Sequence, residues 1–308
     1  MVLACNPLCH DHVGIELAVT AFPSSNPGQF LQLRCCDSDA AATEELDWPP
    51  DGLPSLTGAD IKDKAAYLPR PFSIADHWMA VDGMTRLYVI SHAVGPGTRW
   101  LSELQPGDGL TVTGPLGRGF RLPPTGTPIV LIGGGVGIPP LLYLARRLHE
   151  GGYTDVTAVF GARRRELLPL RLVNEPATDG TPTACVELPG PAEYPAIITS
   201  DDGSIGTRGF VTDALLAHHD RSRQRSMVFA CGPEAMLRAV ADLTRDLDLP
   251  CQLCIERNMG CGMGTCQSCV VRARDAGRST GWRWALACQD GPVFERDELL
   301  DYDPAPSA

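Results

Sequence analysis

The chain has 308 residues and a formal net charge of −11, with 32 glycines, 27 prolines and only 6% aromatic residues. That length allows two or three domains, and an acidic chain without a basic run is a poor partner for nucleic acid or an anionic membrane surface. The start, Met1-Val2-Leu3-Ala4-Cys5-Asn6-Pro7, has no basic run or long apolar stretch of a leader, so the 12 cysteines are expected reduced, in a cytoplasmic protein.

Val13, Ile15, Leu17 and Val19 alternate with other residues, as in a half-buried strand. Pro27-Gly28-Gln29 is a turn, and Phe30 to Leu33 reads as the next strand. The acidic, aperiodic stretch 37–64 reads as a surface insertion. Arg70-Pro71-Phe72-Ser73 follows: a forked donor for a diphosphate, a flat ring and a short hydroxyl, or on residue types alone an ordinary strand start. Leu87 to Val94 is a predicted strand, Gly95-Pro96-Gly97-Thr98 a turn, and Thr98 the expected cap of a helix to Leu104. Leu110 and Val112 lie in another strand. Short strands separated by Gly/Pro turns predict a small antiparallel barrel.

Beyond the Pro123–Pro128 linker, Ile129 to Ala145 is the most apolar stretch. Four glycines and two prolines break it, so it is no membrane span. It reads as strand Ile129–Ile132, loop Gly133–Gly137 and helix Ile138–Glu150, with Val156–Phe160 as the second strand of a βαβ unit. The loop fails the G-x-G-x-x-G pattern, because Ile138 or Pro140 falls where the last glycine belongs. A phosphate-sized loop and a packing turn both remain open. Arg163-Arg164-Arg165 suits either a 2′-phosphate or plain solvent. Ala184–Leu188 and Met227–Ala230 are predicted strands, and Phe210–His219 and Glu234–Asp246 helices, giving a parallel sheet with Cys231-Gly232-Pro233 at its ligand-binding edge.

Cys261, Cys266 and Cys269, spaced C-x4-C-x2-C, with Cys288 further on, have the plant-type [2Fe-2S] spacing. Gly262 and Gly264 let the loop fold closely. A four-cysteine zinc site is the alternative, although its ligands usually come as two close pairs.

Together these motifs resemble the ferredoxin–NADP+ reductase superfamily. Arg70–Ser73 matches its R-x-[YF]-S motif, Gly134–Pro140 its pyridine-nucleotide loop, and Cys231–Pro233 its late C-G-P. Within it, the cysteine set followed by Cys288-Gln289-Asp290-Gly291-Pro292-Val293-Phe294 is similar to the electron-transfer subunits of dihydroorotate dehydrogenase. The resemblance implies an FAD-binding β-barrel at 1–122, an α/β nicotinamide-binding domain with a parallel sheet at 126–248 and a small [2Fe-2S] domain at 249–308. It implies FAD bound by Arg70, Pro71, Phe72, Ser73, Ile90, Ser91, His92, Gly97 and Thr98. NAD, or NADP, would be bordered by Gly134, Gly135, Gly137, Cys231 and Gly232. The cluster would be held by Cys261, Cys266, Cys269 and Cys288. The implied activity is electron transfer from a catalytic, FMN-containing dihydroorotate dehydrogenase subunit, in a hetero-oligomer expected to be a heterotetramer, through the cluster and FAD to NAD+. A related reductase or diaphorase subunit with another partner, and a zinc-bound scaffold, are the competing expectations. Cys35, Cys36, Cys251 and Cys254 read as bystanders, and Met259 and Met263 as partner contacts or as packing residues.

Overall fold

The computed structural model describes residues 1–36, 66–187 and 194–303, so the expected insertion at 37–64 lies outside the described residues. Strand β1 (Val2–Cys9) turns through Asp11 into β2 (His12–Val19), which pairs with β6 (Thr85–His92); β6 in turn pairs with β5 (Asp76–Met79). A second antiparallel sheet joins β4 (Ala66–Ser73), β3 (Phe30–Cys35) and β7 (Val112–Leu116). Ile15, Leu17, Leu31, Leu33, Leu87 and Val89 fill the space between the sheets, each at most 1% exposed. The first helix, α1 (Pro96–Ser102), begins three residues earlier than expected. Proline suits the first helical position, Gly95 becomes the cap, and Thr98 folds back to accept the Gly95 N–H at 3.0 Å.

The α/β part contains β8 (Ile129–Gly134), a tight turn at Gly135–Gly137, α2 (Pro139–Glu150), β9 (Val156–Ala162), β10 (Ala196–Ser200), β11 (Thr207–Arg208), α3 (Val211–Ser222), β12 (Met227–Cys231), α4 (Glu234–Asp246) and β13 (Cys251–Cys254). The sheet order is β11-β10-β9-β8-β12-β13, all parallel, with β16 (Val293–Glu295) added antiparallel at the edge. Strands β8, β9 and β12 are buried along almost their whole length, as the continuous apolar runs require. The strand expected at Ala184–Leu188 is reduced to isolated bridges, Leu172 with Val186 and Thr183 with Ala196, and residue 188 lies outside the described residues. Strand β10 takes the place beside β9 instead. Segment 249–308 therefore does not stand wholly apart: it gives β13 and β16 to the large sheet. Between them a hairpin of β14 (Val270–Arg274) and β15 (Trp282–Leu286) carries the small lobe.

The barrel sits on helix α2. Tyr143, 2% exposed, donates its hydroxyl to the Ser25 carbonyl at 2.8 Å. Arg146 reaches Asp76 of β5 at 2.6 Å and also donates to the His77 carbonyl, with both charged side chains nearly buried. Burial pushes the Asp76 carboxyl up, and the Arg146 guanidinium opposes that shift. Removing one partner of such a pair strands a desolvated charge. Arg146→Met is expected to cost about 3 kcal/mol, the range measured for broken buried pairs, and Asp76→Asn less. Urea unfolding midpoints of the two variants against the parent chain check this.

Candidate functional site

A cavity of about 680 Å³ opens where the barrel, the α/β sheet and the small lobe meet. That volume is within the range of small-molecule sites. Its barrel wall is Arg70, Pro71, Phe72 and Ser73 from β4, Ile90 and His92 from β6, and Thr98 from α1. Alternation along β6 turns Ser91 to the other face, where it is buried and its hydroxyl has no hydrogen-bond partner among the described residues. Gly97 is buried in α1 and does not line the cavity. The two positions expected beside Ile90, His92 and Thr98 therefore support the wall rather than form it.

The α/β wall is Val136, Gly137, Pro139, Cys231 and Gly232. These residues end β8 and β12, adjacent strands from which the sheet order runs in opposite directions, and such a switch point leaves a crevice at the strand ends. The approach there is very close: a Cβ on Gly137 would lie 2.3 Å from the Cys231 carbonyl oxygen. Gly135 adopts φ +52, and Gly134 packs against Met236, so these two shape the turn without lining the cavity. The third wall was not foreseen. Cys254, Ile255, Glu256, Arg257, Asn258, Met259 and Gly260 line it, together with Ser268. Cys254, taken as a bystander, and Met259, read as a partner contact or a packing residue, both belong to this interior. Their sequence carries no glycine or proline signal; only the pairing of Cys231 with Cys254 in the β12–β13 ladder brings them there.

Beyond Gly260 lies the cysteine loop. Cys261 Sγ accepts the N–H groups of Met263 and Cys266, both at 3.4 Å. Gly262 and Gly264 have φ +72 and +88, the left-handed conformation that glycine adopts without strain. Cys266 lies at the surface with the Ser268 hydroxyl 3.2 Å from its sulfur, and that contact draws the thiol down to about 6. Cys269 and Cys288 lie inside, 2% and 3% exposed. Burial pushes the Cys288 thiol up to about 12, with the adjacent Cys269 thiol adding to the shift. Among the described residues, no three ligand-type side chains converge as a single metal ion would require. By burial the four cysteines divide in two, with Cys261 and Cys266 toward the surface and Cys269 and Cys288 enclosed. The C-x4-C-x2-C loop with a distant fourth cysteine suits a binuclear cluster better than one zinc ion, whose ligands usually come as two close pairs.

The residues fit the expected groups. Phe72 and Phe30 offer ring faces, Arg70 a guanidinium for phosphate, and Gly137 and Gly232 bare backbone for a close approach. Gly260 and Ser268 belong both to the cavity wall and to the cysteine loop, so the two sites adjoin.

The residues at 256–300 match the family model described as the iron-sulfur cluster binding domain of dihydroorotate dehydrogenase B, and 131–242 match the oxidoreductase NAD-binding domain. The dihydroorotate dehydrogenase B (NAD(+)) electron transfer subunit of Bacillus velezensis is 34% identical over 89% of this chain and 87% of its own length. The one of Desulforamulus reducens is 32% identical over 87% and 84%. Among solved structures, an NADH-dependent reduced ferredoxin-NADP oxidoreductase superposes with a TM-score of 0.69 at 24% identity, covering 97% of this chain and 88% of that one. Phthalate dioxygenase reductase, described as a modular structure for electron transfer from pyridine nucleotides to [2Fe-2S], superposes with a TM-score of 0.53 at 18% identity, covering 93% and 75%.

Two substitutions separate the sites. Cys288→Ser is expected to abolish the visible absorbance and the iron and sulfide content of the cluster while flavin is retained. Gly137→Ala forces the turn off Cys231 and is expected to weaken nicotinamide binding at least tenfold with the iron content unchanged. Absorbance spectra, iron and sulfide assays and NADH titration read both.

Proposed function

The chain belongs to the family of dihydroorotate dehydrogenase B (NAD(+)) electron transfer subunits, and from that membership we propose how its own residues serve the transfer. It is an oxidoreductase subunit of pyrimidine biosynthesis that passes electrons from dihydroorotate oxidation, by way of a [2Fe-2S] cluster and FAD, to NAD+. The observation that carries the reading is the single cavity walled by the β4 motif, the β8–β12 switch point and the border of the cysteine loop. Flavin, when bound, exchanges electrons singly or in pairs and so matches a one-electron cluster to a two-electron nicotinamide.

Arg70 binds the FAD diphosphate, Phe72 packs along the ring system and Ser73 hydrogen-bonds its edge. Ile90 and His92 hold the flavin from β6. The Gly135–Gly137 turn and Cys231-Gly232 keep side chains out of the nicotinamide's path. Cys261, Cys266, Cys269 and Cys288 ligate the cluster, and burial of the inner pair keeps water from it. The nicotinamide is NAD rather than NADP. Arg164 and Arg165 face Glu166 and Glu175 at 3.8 and 3.1 Å, and Asp201 and Asp202 follow β10 at the same edge, where carboxylates suit a free ribose and repel a 2′-phosphate.

The partner is a catalytic, FMN-containing dihydroorotate dehydrogenase subunit, and the complex a heterotetramer. It docks on the lobe, where Met263 (56% exposed) sits beside the cysteines and Val270, Trp282 and Trp284 share the outer face of the β14–β15 hairpin. Aromatic and methionine side chains of this kind anchor interfaces. Among the described residues no helix is long and apolar enough to cross a membrane, and no two cysteines form a disulfide.

Co-expression with a dihydroorotate-oxidising subunit is expected to give a stable complex that reduces NAD+ with dihydroorotate and NADP+ at least tenfold less efficiently. Trp284→Ala is expected to weaken assembly about tenfold or more, the loss typical of an interface anchor. Size-exclusion chromatography with light scattering, and the dihydroorotate-to-NAD+ assay, decide. A chain that carries both cofactors but never associates with that subunit would move the assignment to a reductase with another partner.

A further inference from the structure

Gln32 lies on β3, in the middle of the barrel's second sheet, and is 3% exposed. Its main chain pairs with Pro71 of the flavin-side motif on one edge and with Thr113 of β7 on the other. Among the described residues neither its Nε2 nor its Oε1 has a hydrogen-bond partner. A primary amide has two donors and an acceptor to satisfy, and leaving such a group buried and unpaired costs about 1–3 kcal/mol. Native proteins rarely keep such groups without a partner, and one explanation of an exception is an ion or group that the protein binds there.

What the amide touches identifies that group. A Cβ on Gly262 would lie 2.6 Å from Gln32 Nε2 and 3.1 Å from its Cδ. The amide is therefore packed against the backbone of the residue that follows Cys261, from the barrel side. Gly262 has two reasons to be glycine: φ +72, and room for this side chain. The nearby Cys261 sulfur already accepts two backbone N–H groups, which shows how donors gather around the sulfurs of this loop. Gln32 brings an unused donor from the barrel to the edge of that loop, and its main-chain pairing with Pro71 ties it to the wall of the cavity.

We propose that Gln32 is a positioning residue for the iron–sulfur centre, its amide N–H donating to a sulfur of the cluster or of its cysteine ligands. The proposal rests on the [2Fe-2S] reading of the four cysteines. Such a donor stabilises the extra negative charge of the reduced cluster and so raises its reduction potential. Glutamine keeps the donor without adding a charge. Ionised glutamate would accept only, and leucine would offer nothing.

The test uses the full-length holoprotein carrying FAD and iron. In Gln32→Leu and Gln32→Glu, iron and sulfide contents match the parent, the midpoint potential of the cluster moves to more negative values, further for Glu than for Leu, and the g-values of the reduced cluster shift. Gln32→Asn, whose shorter amide retains the donor, moves the potential less than Leu does. A potential and EPR spectrum identical to the parent's in fully loaded Leu and Glu variants would overturn the proposal and leave Gln32 solvated by water. If the Leu and Glu variants do not assemble a cluster, Gln32→Asn decides: with 15N-labelled glutamine, pulsed EPR of the reduced cluster shows a nitrogen coupling in the parent that this variant loses, Gln267 and Gln289 being common to both, and identical couplings in the two proteins refute the contact. A parent chain without iron and sulfide would instead remove the cluster reading itself, a distinguishable failure.

Discussion

The working cavity exists only while the barrel stays seated on helix α2. No single part of the chain encloses it: β4 and β6 supply one wall, the ends of β8 and β12 another, and the segment after β13 the third. The seat is narrow and chemically mixed. The Tyr143 hydroxyl is fixed by Ser25, and the Arg146–Asp76 pair sits almost out of water. A polar seat of this kind is directional, because a guanidinium satisfied by a carboxylate and a carbonyl tolerates little sliding, whereas a greasy interface of equal area would tolerate more. The relative placement of the β4 motif and the Gly135–Gly137 turn therefore depends on a few well-aimed hydrogen bonds as much as on buried area.

Much of the site was legible because its chemistry demands special backbone. Glycines at 135, 137, 262 and 264 are there for positive φ or for a contact shorter than a Cβ allows, and those constraints leave their mark in a linear sequence. The cysteine spacing is equally readable. The third wall was not, because Cys254, Ile255, Arg257 and Met259 reach the cavity through the order of strands in a sheet, which no local pattern records. The same limit explains the strand misplaced at Ala184–Leu188: its composition suits a strand, but β10 occupies the position beside β9. Ser91 illustrates a finer limit. A motif marks three consecutive residues of β6, while the two-residue period of a strand sends the middle one away from its neighbours.

Burial divides the four thiols unequally. Cys266 sits at the surface with a depressed thiol, while Cys288 is enclosed and holds its proton tightly. The enclosed pair packs in the apolar layer with Leu253, Val271 and Ala285, and the open pair lies on the side that faces outward with Met263.

The small lobe leaves the large sheet at the end of β13 and returns to it at β16, and these two strands pair with each other, Gln252 with Glu295 and Cys254 with Val293. Topologically the lobe is the loop of one very wide hairpin, clamped at its neck. It cannot swing out as a tethered carrier that collects an electron in one place and delivers it in another. The span between the cysteines and the flavin wall is set by the fold, so the only separation left adjustable is the one to the docking protein. In that sense the lobe is a fixed relay and not a mobile one.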